Sequence, residues 1–294
     1  MTIREQVPLE RYTTLGTGGP ARAFAEPATL EELEDALRWA AARGLPVAAV
    51  GLGSNLLVAD DGVDALVVKL GGRLAAVEVD EAGGLVRAGG GATNAVILHR
   101  ARAAGLGGFE FACAIPGTAG GGVWMNAGAY GGDFAGVLRR ARVVTAEGAG
   151  WLTPAELGLS YRHSELRHGQ VVAEVELGLE PRPVVAIKQI VRELQAQRKA
   201  AQPTNRRTFG SVFKNPEHEL SAGRLLEAVG LKGHRIGGAQ ISPKHANFVE
   251  NAGGARSADA IALMALARRR ARDDFGVELV HEVELLGGLE LPPL

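Results

Sequence analysis

The sequence predicts an α+β chain of two domains. Three observations carry that expectation. The chain has 294 residues, about twice what a domain of roughly 150 residues needs. Helix-period and strand-like apolar runs alternate along it, with no repeat of fixed period and no low-complexity tract. A polar break at Gln202-Pro203-Thr204 follows a helical stretch and leaves an α+β remainder with its own helices and strands. The expected boundaries are 1–200, subdivided at about 1–70 and 71–200, and then 201–294.

The elements follow in order. Thr29-Leu30-Glu31-Glu32 reads as a capping box, with Leu33, Ala36, Leu37 and Ala40 at helical spacing until Gly44 and Pro46. Val47–Val50 is a short buried strand. A second strand covers 65–70, a third 74–80 and, past the Gly83-Gly84 turn, a fourth 85–88. Residues 94–104 are helical and stop at Gly105. Strands are expected at 138–145 and 171–179, with a helix start at Thr153-Pro154-Ala155-Glu156 between them. Pro181 and Pro183 precede a helix near 184–199. Beyond the break, helices are expected at 222–229 and 257–275, and strands at 235–241, 247–250 and 277–286.

Composition excludes several functions. Thirty-two basic residues against 33 acidic ones give a net charge of −1, which removes the electrostatic case for nucleic acid or an anionic membrane. No run reaches the roughly 18 apolar residues of a membrane span. The N-terminus carries charges where a signal peptide is apolar, so a soluble, cytoplasmic chain is expected. The single cysteine, Cys113, cannot close an internal disulfide. His163 and His168 lack further ligands nearby, so no metal is expected.

Glycine is the outlier, 41 of 294, near twice the usual share. Gly51-Leu52-Gly53-Ser54-Asn55-Leu56-Leu57 directly follows a strand, and its glycines let backbone N–H groups converge on a pyrophosphate. It lacks the third glycine of GxGxxG, and a turn that merely reverses the chain is the competing reading. The run Ala114–Gly131 is richer, interleaving glycine with Thr118, Asn126 and Tyr130 and with apolar Ile115, Val123, Trp124 and Met125. That mixture suits a backbone laid against a large planar or phosphorylated ligand better than a surface loop. Two such segments point to a nucleotide or dinucleotide.

Taken together, several motifs resemble the UDP-N-acetylenolpyruvoylglucosamine reductases nearly end to end. They are Thr14–Ala21 (TLGTGGPA), GLGSNLL at 51–57, IPGT and MNAGAYG within 115–131, Tyr161-Arg162-His163-Ser164, GSVFKNP at 210–216, KHANF at 244–248 and His281-Glu282-Val283. The resemblance implies a two-subdomain FAD-binding fold of the vanillyl-alcohol-oxidase (PCMH) type plus a C-terminal α+β substrate domain. It implies non-covalent FAD against Gly51, Gly53, Ser54, Asn55, Leu56, Ile115, Pro116, Gly117, Thr118, Gly120, Gly121, Asn126, Gly128, Ala129 and Tyr130. NADPH would be the hydride donor and UDP-N-acetylglucosamine enolpyruvate the substrate, in peptidoglycan precursor synthesis. The short stretch from Tyr161 to Gln202 matches the family's shorter class, without the lid loop and its tyrosine. Cys113-Ala114 stands where a small residue and glycine are expected, and Gly122 replaces an alanine.

The reaction implied needs a hydride at C3 and a proton at C2. Arg162, by the YRxS motif, would stabilise charge developing over C2 and the carboxylate. Ser211 would donate the proton, a weak acid facing a strongly basic carbanion. Glu282 would assist; in a strand over 277–286, alternation places Glu278, Val280, Glu282 and Glu284 on one face. Lys214 and Asn215 would meet the substrate's phosphates or carboxylate. His245 would touch substrate or serve as a packed structural histidine. Cys113 is expected to be a packed small residue. A flavoprotein oxidase is the nearest alternative, though no histidine or cysteine sits in an obvious covalent attachment motif. A nucleotide-sugar sensor would show a broken Arg162–Ser211–Glu282 set. A monomer is expected, and no residue reading the NADPH 2′-phosphate is identifiable.

Overall fold

In a computed structural model of the protein, residues 2–294 are described. They form two compact units. The first comprises residues 2–6, Arg22–Leu52 and Asp64–Arg198, the second Val7–Ala21, Gly53–Val63 and Lys199–Leu294. The segments Val7–Ala21 and Gly53–Val63 therefore depart from a contiguous N-terminal region over 1–200. They fold with the C-terminal unit because Leu15 and Leu57, both fully buried, are part of its core.

The first unit carries two sheets. One has the strand order Ile3–Pro8, Pro20–Ala25, Val63–Val68, Val47–Ala49, with the last two parallel. Against it packs helix α1, Leu30–Ala41, through Leu33, Ala36, Leu37 and Ala40. Thr29 caps α1 by accepting the Glu32 N–H at 3.3 Å, and the Glu32 carboxylate takes the Ala28 N–H at 2.7 Å. The other sheet is antiparallel, ordered Ala149–Leu152, Leu138–Val144, Val171–Gly178, Leu85–Gly89, Val77–Asp80. Its apolar face meets α2, Asn94–Ala103, and α3, Ala119–Trp124, around Phe109, Phe111 and Phe134. These three rings meet edge to face, with centroids 5.3, 5.5 and 6.3 Å apart. On the same sheet Glu176 is buried. Hydrogen bonds from Arg140 (2.7 Å) and Arg87 (3.0 Å) hold its carboxyl below the usual carboxylate range. Helix α4, Val184–Ala201, closes this unit through Ile187 and Val191.

The second unit is built on an antiparallel sheet ordered Thr208–Ser211, Phe248–Asn251, Ala239–Ile241, Arg235–Ile236. Helices α5, Ala222–Ala228, and α6, Ser257–Phe275, cover it with Leu225, Leu226, Leu263 and Met264. A parallel pair joins Leu56–Val58 to Glu284–Leu286. Asp60 caps α6 from a distant segment, its carboxylate accepting the Ser257 and Ala258 N–H groups at 2.9 and 3.0 Å.

Four expected elements differ. The Thr153 start does form its reciprocal bonds: the Glu156 carboxylate accepts the Thr153 N–H (2.8 Å) and the Thr153 hydroxyl oxygen accepts the Glu156 N–H (3.4 Å). The turn then ends at Gly158, φ +57°, so no helix follows. The expected strand over 74–80 begins as a 3-10 turn, Gly72–Ala75, which buries Leu74. The strand over 235–241 is two short strands folded back at Gly237-Gly238. Only Glu284–Leu286 of 277–286 is a strand. Its upstream residues make a single bridge, His281 with Phe213, before the chain changes partner to Leu56–Val58. Glu278, Val280, Glu282 and Glu284 therefore share no common sheet face.

Candidate active site

In the first unit the run from Ile115 to Tyr130 is held from behind. The Asn94 N–H donates to the Gly117 carbonyl and its side-chain amide to the Ile115 carbonyl, both at 3.0 Å. Thr118 caps α3, and its Oγ1 lies where a Cβ on Gly51 would be, 2.5 Å away, so only glycine fits at 51. The Gly120 N–H donates to the Gly90 carbonyl at 2.8 Å. Gly122 lies against the Phe134 ring, which explains why the alanine expected there is absent: a methyl would collide with the ring.

Gly121 differs from all of these. It is exposed, its φ is not positive, and the nearest atom to an added Cβ is 3.7 Å off. Nothing in the protein requires glycine there, although glycine inside a helix costs about 0.5–1 kcal/mol relative to alanine. A bare backbone facing outward at this point fits a large flat ligand lying on the loop. Pro116 and Tyr130 are exposed on the same run.

Strain gathers nearby. Asn126, Tyr130 and Arg162 have φ of +40°, +51° and +54°; Gln6 is the fourth non-glycine residue among the described residues with positive φ. Asn126 is buried and uses its side chain within the protein: Oδ1 accepts the Ala135 N–H at 2.8 Å and Nδ2 donates to the Ser160 carbonyl at 2.9 Å. Its side chain therefore sets two loops. Ser160 and His163 close a two-residue turn through paired backbone bonds of 3.1 and 3.2 Å. Arg162 occupies the second corner of that turn. Its guanidinium donates to the Gly128 carbonyl at 2.6 Å and lies over the Tyr161 ring. Arg162 and the MNAGAYG segment are thus brought together. Burial pushes the Cys113 thiol up, and its Sγ lies 4.0 Å from the Val191 carbonyl.

In the second unit Ser211 ends a strand at a bulge, marked by a register shift between Thr208 and Ser211. Gly210 permits it, with φ +83° and the Ser54 carbonyl 3.1 Å from a would-be Cβ. Asn247, for which the sequence offered no role, clamps the two residues that follow Ser211. Its Oδ1 accepts the Phe213 N–H (3.0 Å), its Nδ2 donates to the Phe213 carbonyl (2.8 Å), and its carbonyl takes the Val212 N–H (2.9 Å). Glu282 lies on the adjoining segment, its N–H donating to the Val212 carbonyl at 2.8 Å. Lys214 pairs with Val280 on the same two segments, and the Asn215 Oδ1 accepts the Ala222 N–H at the start of α5. Gly53, φ +63°, sits against the Tyr12 carbonyl, and Ser54, Asn55 and Leu56 lead from it into the Leu56–Val58 strand.

His245 is packed. Its ring meets Phe248 edge-on at 4.9 Å, Gly223 leaves room beneath it, and Nδ1 accepts the Asn247 N–H at 3.2 Å. Burial first, and then Lys232, push its pKa down. Among the described residues no three His, Cys, Asp or Glu side chains converge on a metal position, and no helix is long and apolar enough to cross a membrane.

Residues 21–150 match the FAD binding domain family. With the outward-facing glycine backbone just described, this defines an FAD-dependent oxidoreductase. Residues 202–286 match the C-terminal domain of UDP-N-acetylenolpyruvoylglucosamine reductase. The chain is 46% identical over 287 residues to UDP-N-acetylenolpyruvoylglucosamine reductase 2 of Symbiobacterium thermophilum, covering 97% of this chain and 92% of that protein. It is 46% identical over 286 residues to the reductase of Anaeromyxobacter dehalogenans, covering 97% and 85%. The crystal structure of the Thermus caldophilus enzyme superposes with a TM-score of 0.84 at 38% identity, over 97% of this chain and all of that one. The chain belongs to the UDP-N-acetylenolpyruvoylglucosamine reductase family. Its fold is the FAD-binding type shared with vanillyl-alcohol-oxidase-like flavoproteins, joined to the family's C-terminal α+β domain.

Proposed function

We propose that the protein reduces UDP-N-acetylglucosamine enolpyruvate to UDP-N-acetylmuramate, with NADPH as the electron source. The observation that supports this most is similarity to enzymes of that name along 97% of the chain, with Arg162, Ser211 and Glu282 all retained in their motifs.

FAD, when bound and reduced by NADPH, would supply the hydride that C3 of the enolpyruvyl group requires. Gly51, Gly53, Ser54, Asn55, Leu56, the Ile115–Thr118 stretch, Gly120, Gly121, Asn126 and Gly128–Tyr130 would hold the cofactor. Arg162 carries a permanent charge on a planar fork, and it stabilises the negative charge that develops over C2 and the carboxylate. That charge is larger in the transition state than in the substrate, so the interaction accelerates the step as well as binding. The Ser211 hydroxyl gives its proton to C2, which completes addition of hydride and proton across the double bond. A serine is a weak acid, but the acceptor is a carbanion and placement decides the rate. Glu282 orients the proton path, and Lys214 and Asn215 bind the substrate's anionic groups.

The test is spectroscopic. Purified protein, reduced anaerobically with NADPH and then given the enolpyruvyl ether, should be yellow, bleach, and regain its colour. Bleaching without recovery would reject the substrate. A protein that neither carries nor takes up FAD would reject the whole reading.

A further inference from the structure

The second unit ties the cofactor-loop residue Asn55 directly to the Glu282 peptide. The Asn55 side-chain amide donates to the Glu282 carbonyl at 3.1 Å, across 227 positions of sequence. Two residues on, the Glu284 N–H donates back to the Asn55 carbonyl, also at 3.1 Å. The other side of the same peptide is fixed too: the Glu282 N–H donates to the Val212 carbonyl, one residue past Ser211. The His281 ring bonds the Val283 carbonyl at 2.8 Å and braces the turn around Glu282. Both backbone polar groups of Glu282 are thus taken, one by the segment bearing Ser211 and one by the loop bearing Gly53, Ser54 and Asn55. No regular strand holds Glu282, since only Glu284–Leu286 is paired in a ladder. Its position therefore depends on these individual bonds.

We infer that Asn55 is a positioning residue for Glu282: its side-chain amide is committed to the Glu282 peptide and couples the glycine loop to the proton-delivery step. This rests on the role given to Glu282 above. Aspartate is the discriminating substitution at 55, because it keeps the shape and replaces the donating amide with a carboxylate that repels the Glu282 carbonyl.

Three variants, Asn55→Asp, Glu282→Gln and the double variant, are compared by stopped flow as FAD-loaded proteins. The positioning role predicts that, at saturating FAD, Asn55→Asp slows bleaching by NADPH far less than it slows the return of colour. Return of colour with the enolpyruvyl ether should slow by roughly tenfold to a hundredfold, as for a displacement of order 1 Å in a catalytic group. The double variant should be no slower than Glu282→Gln alone, since the two residues then act as one unit. Independently of activity, amide hydrogen exchange at Glu282 and Glu284 should quicken in Asn55→Asp, with or without FAD. Weakened FAD affinity with both half-reactions slowed in proportion would overturn the inference and leave Asn55 a cofactor ligand only. Multiplying effects in the double variant would also overturn it. Undiminished colour return in Glu282→Gln would instead reject the role of Glu282 itself, and the positioning role with it. Should Asn55→Asp fail to fold, Asn55→Ser is read by the same criteria.

Discussion

Arg162 holds a backbone conformation that a residue with a Cβ adopts at a penalty, and it does so at a turn corner where glycine or asparagine is usual. If the guanidinium is what keeps an arginine there, Arg162→Ala and Arg162→Gly should lose colour return alike. The glycine variant should nevertheless resist denaturant better than the alanine one by about 1 kcal/mol, because it removes the strain. Equal stabilities would show that the turn carries no strain. His245 makes a second residue-scale prediction. Its pKa is lowered on folding, so the unfolded chain takes up the proton first as pH falls below about 6.5. Stability on this account is full above that pH and declines toward the folded-state value. Melting between pH 7.5 and 5 should therefore fall more steeply for the parent than for His245→Phe. Arg162, Ser211 and Glu282 were legible as candidates because short motifs carry them. The work of Asn247 and Asn55 was not, because side-chain bonds to backbone 34 and 227 positions away leave no local pattern.

Elements were legible where their signals are local. Helix α6 runs from Ser257 to Phe275, the span expected, and ends before a left-handed Gly276, φ +67°. The Thr153 turn and the 277–286 segment were misread because the deciding facts lie elsewhere. One is a left-handed Gly158 directly after a good cap. The other is a change of pairing partner from Phe213 to Leu56–Val58. Helix α3 yields a sharper test. With Gly122 against the buried Phe134 ring, Gly122→Ala should destabilise by roughly 1–3 kcal/mol through overpacking, despite alanine's better helix propensity. Phe134→Leu should recover part of that loss in the double variant. Two losses that simply add in a thermal-melt cycle would show that the ring is not what excludes the methyl.

The second unit is discontinuous in sequence, and that governs how it can be dissected. Leu15 and Leu57 come from the N-terminal third and are fully buried in its core. Each is worth roughly 1.5–3 kcal/mol on burial, against a typical domain stability of about 5–15 kcal/mol. A fragment of residues 199–294 also loses the Leu56–Val58 strand and the Asp60 cap on α6. By circular dichroism that fragment should show weak helicity and no cooperative melt; a sharp transition would show that the N-terminal segments are dispensable. The same threading has a consequence during synthesis. The Thr14 hydroxyl awaits the Thr208 carbonyl, and Thr17 awaits Ser257, 240 positions later. At roughly 5–20 residues per second, the ribosome keeps Leu15 and Leu57 waiting on the order of tens of seconds. Through that interval these nascent segments are apolar chain without a core, so the protein's yield in a cell should depend on how well chaperones shield its first sixty residues.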